Sequence, residues 1–138
     1  LMVARPGYGD GSDRSERRLE QRRLMLPLFA AMGDAGVPLL AGTDAGVPGV
    51  QHGSVAGSVI ALHTEVGLPV GAALCAATSA PAQAFGIADR VGTIRPGLRA
   101  DLVLVDGLVG EDIDAVDRPL AVFKNGILAA RGGLLTFA

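Results

Sequence analysis

Residues 37–46 of the chain read VPLLAGTDAG, an apolar run followed by a small-residue break and one carboxylate, Asp44. The run is short, lacks alternation between apolar and polar positions and is bounded by glycine, which predicts a strand buried on both faces of a parallel sheet. The carboxylate beyond the strand has two interpretations. It braces a turn or caps a helix, as most loop aspartates do, or it takes part in metal and proton-transfer chemistry.

The composition excludes several classes of protein. The chain has 138 residues, of which 49% are hydrophobic, so it can bury one core. Its formal net charge of −2 provides no excess of positive charge that would bind the phosphates of a nucleic acid. No apolar run reaches the roughly 18–20 residues that cross a bilayer, and the first residues lack the pattern of a signal peptide. We expect a cytoplasmic protein that acts on a small-molecule substrate and binds neither nucleic acid nor membrane.

Local sequence signals predict α/β structure, with helices and one strand, in the first ninety or so residues. A helix is predicted from Ser15, with its arginines on a solvated face and with Pro27 kinking or splitting it. The stretch VAGSVIALHTEVG predicts a helix that ends at Gly67, and the next twenty residues predict one or two short helices. The single cysteine, Cys75, excludes an internal disulfide and is predicted to be a small buried residue of this helical stretch.

The last fifty or so residues carry strand signals instead. ADLVLVD predicts a strand, and LAVFKNGILAARGG contains two apolar runs joined by Asn125 and Gly126, the strongest short hairpin signal. A few strands and one βα unit are too few elements to close a parallel sheet or to bury a large hydrophobic core. The sequence therefore predicts the end of a larger architecture.

Three segments in this order resemble the C-terminal end of the amidohydrolase superfamily, in particular its imidazolonepropionase-like and Xaa-Pro dipeptidase-like members. LLAGTDAG resembles the last barrel strand with its terminal aspartate. AATSAPAQAFGIADRVGTIRPGLRADLVLVDG resembles the passage from the last helices into a small β domain, and VFKNGILAARGG resembles the closing hairpin of that domain. The resemblance covers roughly residues 36–133.

The resemblance implies an α/β fold class, namely the C-terminal fragment of a (β/α)8 TIM barrel and the C-terminal part of a small β-sandwich. Residues 1–88 would supply the last barrel strand and its helices, and residues 89–138 the β-rich sandwich portion. A complete barrel takes about 250 residues and has its active site at the C-terminal ends of its strands. Asp44 follows the predicted strand at such an end.

The resemblance also implies a chemistry. Asp44 would bind a divalent metal, expected to be zinc, and would shuttle a proton from the metal-activated water to the leaving group during hydrolysis of a C–N bond. The substrate would be a cyclic amide, an imidazolone or a dipeptide-like molecule. His52 would lie near this substrate, although an exposed loop histidine is an equal interpretation, and Thr43 would orient the strand end. His63 is expected to be a helix-surface or packing residue that Glu65 could pair with.

The chain departs from the family in its ligands. Family members carry an HxH pair on the first strand and further histidines on later strands, whereas this chain has only His52 and His63, both after Asp44. Because a catalytic zinc site typically has three protein ligands, we expect the chain alone to lack a complete site. The alternative hypothesis is a non-catalytic fragment or remnant that folds by association with itself, as a homo-oligomer, or with another chain through exposed strand edges.

Overall fold

The computed structural model describes residues 13–46, 53–132 and 134–136, with side chains from residue 20 onward. Its helices are α1 (Asp13–Asp34), α2 (Val55–Thr64), α3 (Val70–Ala76) and α4 (Ser79–Ala84), and a 3-10 helix covers Ile113–Asp117. Its strands are β1 (Leu102–Val105), β2 (Pro119–Lys124), β3 (Ile127–Arg131) and β4 (Leu134–Leu135). The chain divides into two compact units, Leu1–Ala77 and Thr78–Ala138. The predicted boundary between residues 88 and 89 stays a prediction about the parent architecture.

Helix α1 is continuous through Pro27 and begins before Ser15. Of the two expected effects of Pro27, a kink or a split, the split is wrong, and the kink stays a prediction. A proline inside a helix removes one backbone hydrogen bond and costs about 3 kcal/mol. The turns around Pro27 are rich in leucine, methionine and alanine, residues of high helix propensity, and they offset this cost.

The core of the first unit is formed by α2 and α3. Four consecutive apolar residues of α2 are buried, of which Leu62 is fully buried, and α3 contributes two buried alanines, Ala73 and Ala76. Cys75 is exposed, so the prediction of a buried cysteine is wrong. The helical rotation explains this result, since a residue adjacent to Ala76 turns away from the stripe that Ala73 and Ala76 share. Gly67, with φ of 86°, follows the end of α2 as predicted.

The segment VPLLAGTDAG is not a regular strand. Residues 37–41 belong to no helix or ladder, and only Gly42 and Ala45 have isolated bridge contacts. Leu39 and Leu40 are half-buried rather than buried. The predicted strand is therefore wrong for this chain at the level of secondary structure. A strand exists only through hydrogen bonds to neighbouring strands, and the backbone N–H of Ala41 instead donates to the carbonyl of Ala76 in α3 at 2.8 Å.

The second unit contains α4 and a four-stranded antiparallel sheet in the order β1-β2-β3-β4. The predicted hairpin is confirmed between β2 and β3, where Asn125 and Gly126 have φ values of 53° and 78°. Positive φ at both central residues is what a tight hairpin turn requires. Strand β4 was not predicted from the sequence.

The sheet has two apolar faces. Directly paired residues share a face, which places on one side a set that we call the open face: Val103, Val122, Lys124, Ile127, Ala130 and Leu135, all apolar except the lysine. Three of these apolar residues are exposed, Val103 to 59% and Ile127 and Leu135 to 71% each. On the opposite side Ala121 is buried, whereas Leu104 and Leu134 are exposed to 56% and 75%. In the described part of the chain, no helix is long and apolar enough to cross a membrane.

Candidate functional site

Asp44 lies at a tight turn at the end of the extended segment. Its carboxylate belongs to an exposed residue, and its φ of 49° puts the backbone in the left-handed region. Few residues other than glycine adopt this region, and aspartate and asparagine are among those that do. The Thr43 hydroxyl accepts a hydrogen bond from the backbone N–H of Ala45 at 3.2 Å, which closes the turn around Asp44. Gly46, two residues further on, also has a positive φ, of 105°.

Two helices hold the residues that precede this turn. Ala41 donates its N–H to the carbonyl of Ala76 in α3, and the Ser58 hydroxyl in α2 donates to the carbonyl of Gly42 at 3.1 Å. Sequence reasoning missed Ser58. The available signal was a hydroxyl next to the apolar run 59–62, because a buried hydroxyl needs a hydrogen-bond partner.

The two histidines differ in what the structure says of them. His52 lies outside the described residues. His63 is half-buried, and its Nδ1 lies 2.7 Å from the carbonyl oxygen of Leu68. With the proton on Nδ1, the ring donates a hydrogen bond to that carbonyl and so stabilises the loop after α2.

Glu65 does not pair with His63. Its Oε2 accepts a hydrogen bond from Nε of Arg22 at 2.8 Å, and its Oε1 contacts a second guanidinium nitrogen. The Arg22 side chain is only 18% exposed, so the prediction that this arginine lies on a solvated face is wrong. A two-point contact between the planar guanidinium and a carboxylate explains why the side chain turns inward.

Perturbed carboxylates lie in the second unit. Hydrogen bonds from Lys124, the Asn125 backbone and Arg99 lower the pKa of Asp101 to about 2. A hydrogen bond from Arg118 likewise lowers the pKa of Asp112. Both groups are held in the charged form, so they act as acceptors in surface ion pairs rather than as proton donors.

The sequence profile of the amidohydrolase family matches residues 4–126. This chain belongs to the amidohydrolase family. The superfamily recognised from the sequence is thereby confirmed. Its imidazolonepropionase-like subgroup stays a prediction.

Individual relatives support the same assignment. The amidohydrolase chain is 39% identical over 82 residues to the adenine deaminase of Cereibacter sphaeroides (strain ATCC 17025 / ATH 2.4.3), covering 59% of this chain and 14% of the deaminase. A Xaa-Pro dipeptidase structure with bound methionine in the active site has 34% identity and a TM-score of 0.69 over 78% of this chain and 26% of that one. A prolidase candidate from Bifidobacterium longum has 26% identity and a TM-score of 0.73, covering 82% of this chain and 28% of that one.

The described residues of this amidohydrolase chain do not fit a complete metal centre. Among them there is no group of three histidine, cysteine, aspartate or glutamate side chains placed to hold an ion. Asp44 offers carboxylate oxygens, which are ligands that divalent cations accept, but a catalytic zinc ion typically takes three protein ligands. The arrangement provides one exposed, backbone-fixed carboxylate that can accept a hydrogen bond or a proton.

Proposed function

We propose that this chain forms the C-terminal part of a metal-dependent amidohydrolase that hydrolyses a C–N bond in a small molecule. The candidate substrates are a cyclic amide, an imidazolone or a dipeptide-like compound. The observation that carries the proposal is the fixed turn at Asp44 in a chain of this family. The chain spans 26% of the dipeptidase, so the activity of the whole protein is itself a proposal.

In this proposal Asp44 is a metal ligand and the group that takes and returns a proton. A divalent ion, proposed to be zinc, would supply an activated water for the hydrolysis. Its other ligands must come from outside the described residues. This chain contributes the carboxylate of Asp44, an exposed residue that a substrate in solution can reach. The hydrogen bond between the Ala45 N–H and the Thr43 hydroxyl holds the turn at this residue. Thr43 and His52 remain the proposed residues on the substrate side.

The architecture that we propose is the end of a (β/α)8 barrel over residues 1–88 followed by part of a β-sandwich over residues 89–138. The open face supports the second element. An isolated sheet with two apolar faces leaves apolar area in water, and packing a second sheet about 10 Å away removes that area from water. The exposure of Val103, Ile127 and Leu135 is what such a missing layer would cover.

A chimera tests the catalytic role. Residues 36–138 of this chain would replace the corresponding part of the Xaa-Pro dipeptidase, and hydrolysis of a Xaa-Pro dipeptide would be measured with added Zn²⁺. We expect Asp44→Asn to lower kcat by roughly 100- to 10,000-fold, the usual contribution of a general acid–base group. Asparagine tolerates the left-handed backbone, so the turn is preserved.

The matched control is Asp89→Asn, which removes an exposed carboxylate in a loop and should leave the rate unchanged. A chimera that folds as the dipeptidase does, by circular dichroism and size exclusion, and keeps full activity with Asp44→Asn would refute the assignment.

The second candidate is a non-catalytic chain that associates with itself or another chain. Strand β1 favours this candidate because it pairs with β2 alone among the described strands and its sequence, LVLV, carries no charge that would block further pairing. A metal-free oligomer without hydrolase activity supports it, and a monomer with bound zinc counts against it. Val103→Lys should then reduce the apparent mass by size exclusion with light scattering, whereas Leu108→Lys, outside the sheet, should not.

A further inference from the structure

Among the described polar residues, Ser58 alone is buried as a whole, with 3% exposure. It stands in α2 beside four buried apolar residues, where alanine would fit and would favour the helix more. A buried hydroxyl is tolerated when it is hydrogen-bonded. Its partner is the carbonyl of Gly42 at 3.1 Å, a group that belongs to the segment leading to Asp44.

The hydrogen bond has a specific position along the chain. Ala41 is fixed by the carbonyl of Ala76, and Gly42 by the hydroxyl of Ser58. Thr43 and Asp44 follow directly, and Asp44 has the unfavourable left-handed φ of 49°. A residue other than glycine keeps such a backbone conformation when its surroundings over-determine it. The two helix contacts fix one side of the turn, and the Thr43–Ala45 hydrogen bond closes it.

We infer that Ser58 is a positioning residue for Asp44. By holding the Gly42 carbonyl it fixes the peptide units from which the Asp44 turn begins, and so it fixes where the carboxylate is presented. Ser58 itself touches no reacting group. The expected effect of Ser58 on catalysis rests on the proposed function of Asp44. The expected effect of Ser58 on the conformation of the Asp44 turn does not.

Nuclear magnetic resonance on the full 138-residue chain tests the inference. The variant is Ser58→Ala. The matched control is Thr64→Ala, which removes another hydroxyl of α2 whose bond, to the carbonyl of Ile60 at 3.0 Å, stays within the helix. The readouts are the Cα and Cβ chemical shifts of Asp44 and the hydrogen-exchange rate of the Ala45 amide.

In Ser58→Ala we expect the Asp44 shifts to move from left-handed towards random-coil values and the Ala45 amide to exchange faster. Thr64→Ala should change neither. Ser58→Cys, whose thiol is a weak donor of similar size, should give an intermediate shift and keeps the test informative if the alanine variant fails to fold. Unchanged Asp44 shifts in Ser58→Ala, or equal changes in both alanine variants, would overturn the inference.

The dipeptidase chimera separates this inference from the proposed function. With Ser58→Ala we expect a lower kcat at an unchanged KM, because the carboxylate is misplaced while substrate binding is not. If Asp44→Asn leaves kcat unchanged, the proposed function fails, and the chemical shifts of Asp44 still decide the role of Ser58.

Discussion

The carboxylate of Asp101 accepts a hydrogen bond from the backbone N–H of Asn125 at 2.8 Å, which joins the residue before β1 to the turn of the β2–β3 hairpin. The same carboxylate contacts Nζ of Lys124 at 2.7 Å and Nε of Arg99 at 2.9 Å. The neighbouring carbonyl of Ala100 accepts the N–H of Gly126 at 2.9 Å. The hairpin turn is therefore docked on residues 99–101 rather than left free.

This contact predicts a pH dependence of stability. The pKa of Asp101 falls from 3.8 to about 2, chiefly through the Lys124 hydrogen bond and then the Asn125 N–H. A lowered folded-state pKa stabilises the fold above the unfolded value, and that contribution is lost as the pH falls from 3.8 towards about 2. We expect Asp101→Asn to lower the urea midpoint at neutral pH and to flatten its decline over this acid range.

The measurement is urea unfolding followed by circular dichroism across the acid range. Asp89→Asn is the control, since its exposed carboxylate contacts Arg90 only at 3.9 Å, and it should keep the pH profile of the parent chain. Identical profiles for Asp101→Asn and the parent chain would contradict the prediction.

Three glycine substitutions should separate backbone strain from steric clash. Gly126 has φ of 78°, and an added Cβ would lie 4.0 Å from the Ala100 Cβ. Gly126→Ala therefore introduces backbone strain but no steric clash. The left-handed backbone costs alanine about 1–2 kcal/mol. Gly92 has φ of 98°, and its added Cβ would lie 2.5 Å from the Ala82 Cβ. Gly92→Ala should therefore destabilise the chain more than Gly126→Ala.

Gly110→Ala is the control for this pair, because its backbone is outside the left-handed region and an added Cβ meets no atom within 4 Å. Its effect should lie within about 0.5 kcal/mol of zero. Equal free energies of unfolding for the Gly92 and Gly126 variants would show that α4 moves aside at no cost.

The core of the first unit should be sensitive at α2. Leu62 has 0% exposure, and Leu62→Ala should lower the free energy of unfolding by about 2–5 kcal/mol because it removes buried apolar area and leaves a cavity. Leu24→Ala, at a position that is 68% exposed in α1, should change it by less than about 1 kcal/mol. Denaturant unfolding compares the two variants, and similar losses would mean that Leu24 is covered in solution.

A double-mutant cycle on Arg22 and Glu65 should give a coupling energy of about 1 kcal/mol. This value is higher than that of most surface ion pairs because both side chains are partly shielded from solvent and contact each other at two points. The comparison pair is Asp89 and Arg90, which are 78% and 66% exposed and 3.9 Å apart. Its coupling energy should be close to zero. Equal coupling energies in the two cycles would argue that α1 is not held on α2 through Arg22.

Features with short-range causes were predicted from the sequence. Asn125 and Gly126 specify the hairpin because both accept the positive φ that the turn needs. Gly67 and Gly86 mark the ends of α2 and α4 because glycine adopts the left-handed backbone that follows a helix. The family was also recognisable, since the order of its segments is a property of the sequence alone.

The errors share another cause. Residues 37–42 are apolar enough for a buried strand, but a strand needs pairing partners, and Ala41 instead contacts α3. Glu65 was near His63 in sequence, yet its partner is Arg22, 43 positions away. The exposure of Cys75 depended on which side of α3 meets α2. Each outcome was decided by which elements pack together.

By itself the sequence determined the hairpin turn, the glycines that follow α2 and α4 and the membership of the amidohydrolase family. The attachment of the Asp44 turn through Ser58 and the exposure of the open face of the sheet were decided by tertiary structure alone. The physical reason is the range of the interactions. Turn and helix-end preferences act within a few residues, whereas the Ser58 hydroxyl meets the Gly42 carbonyl across 16 positions, through folding.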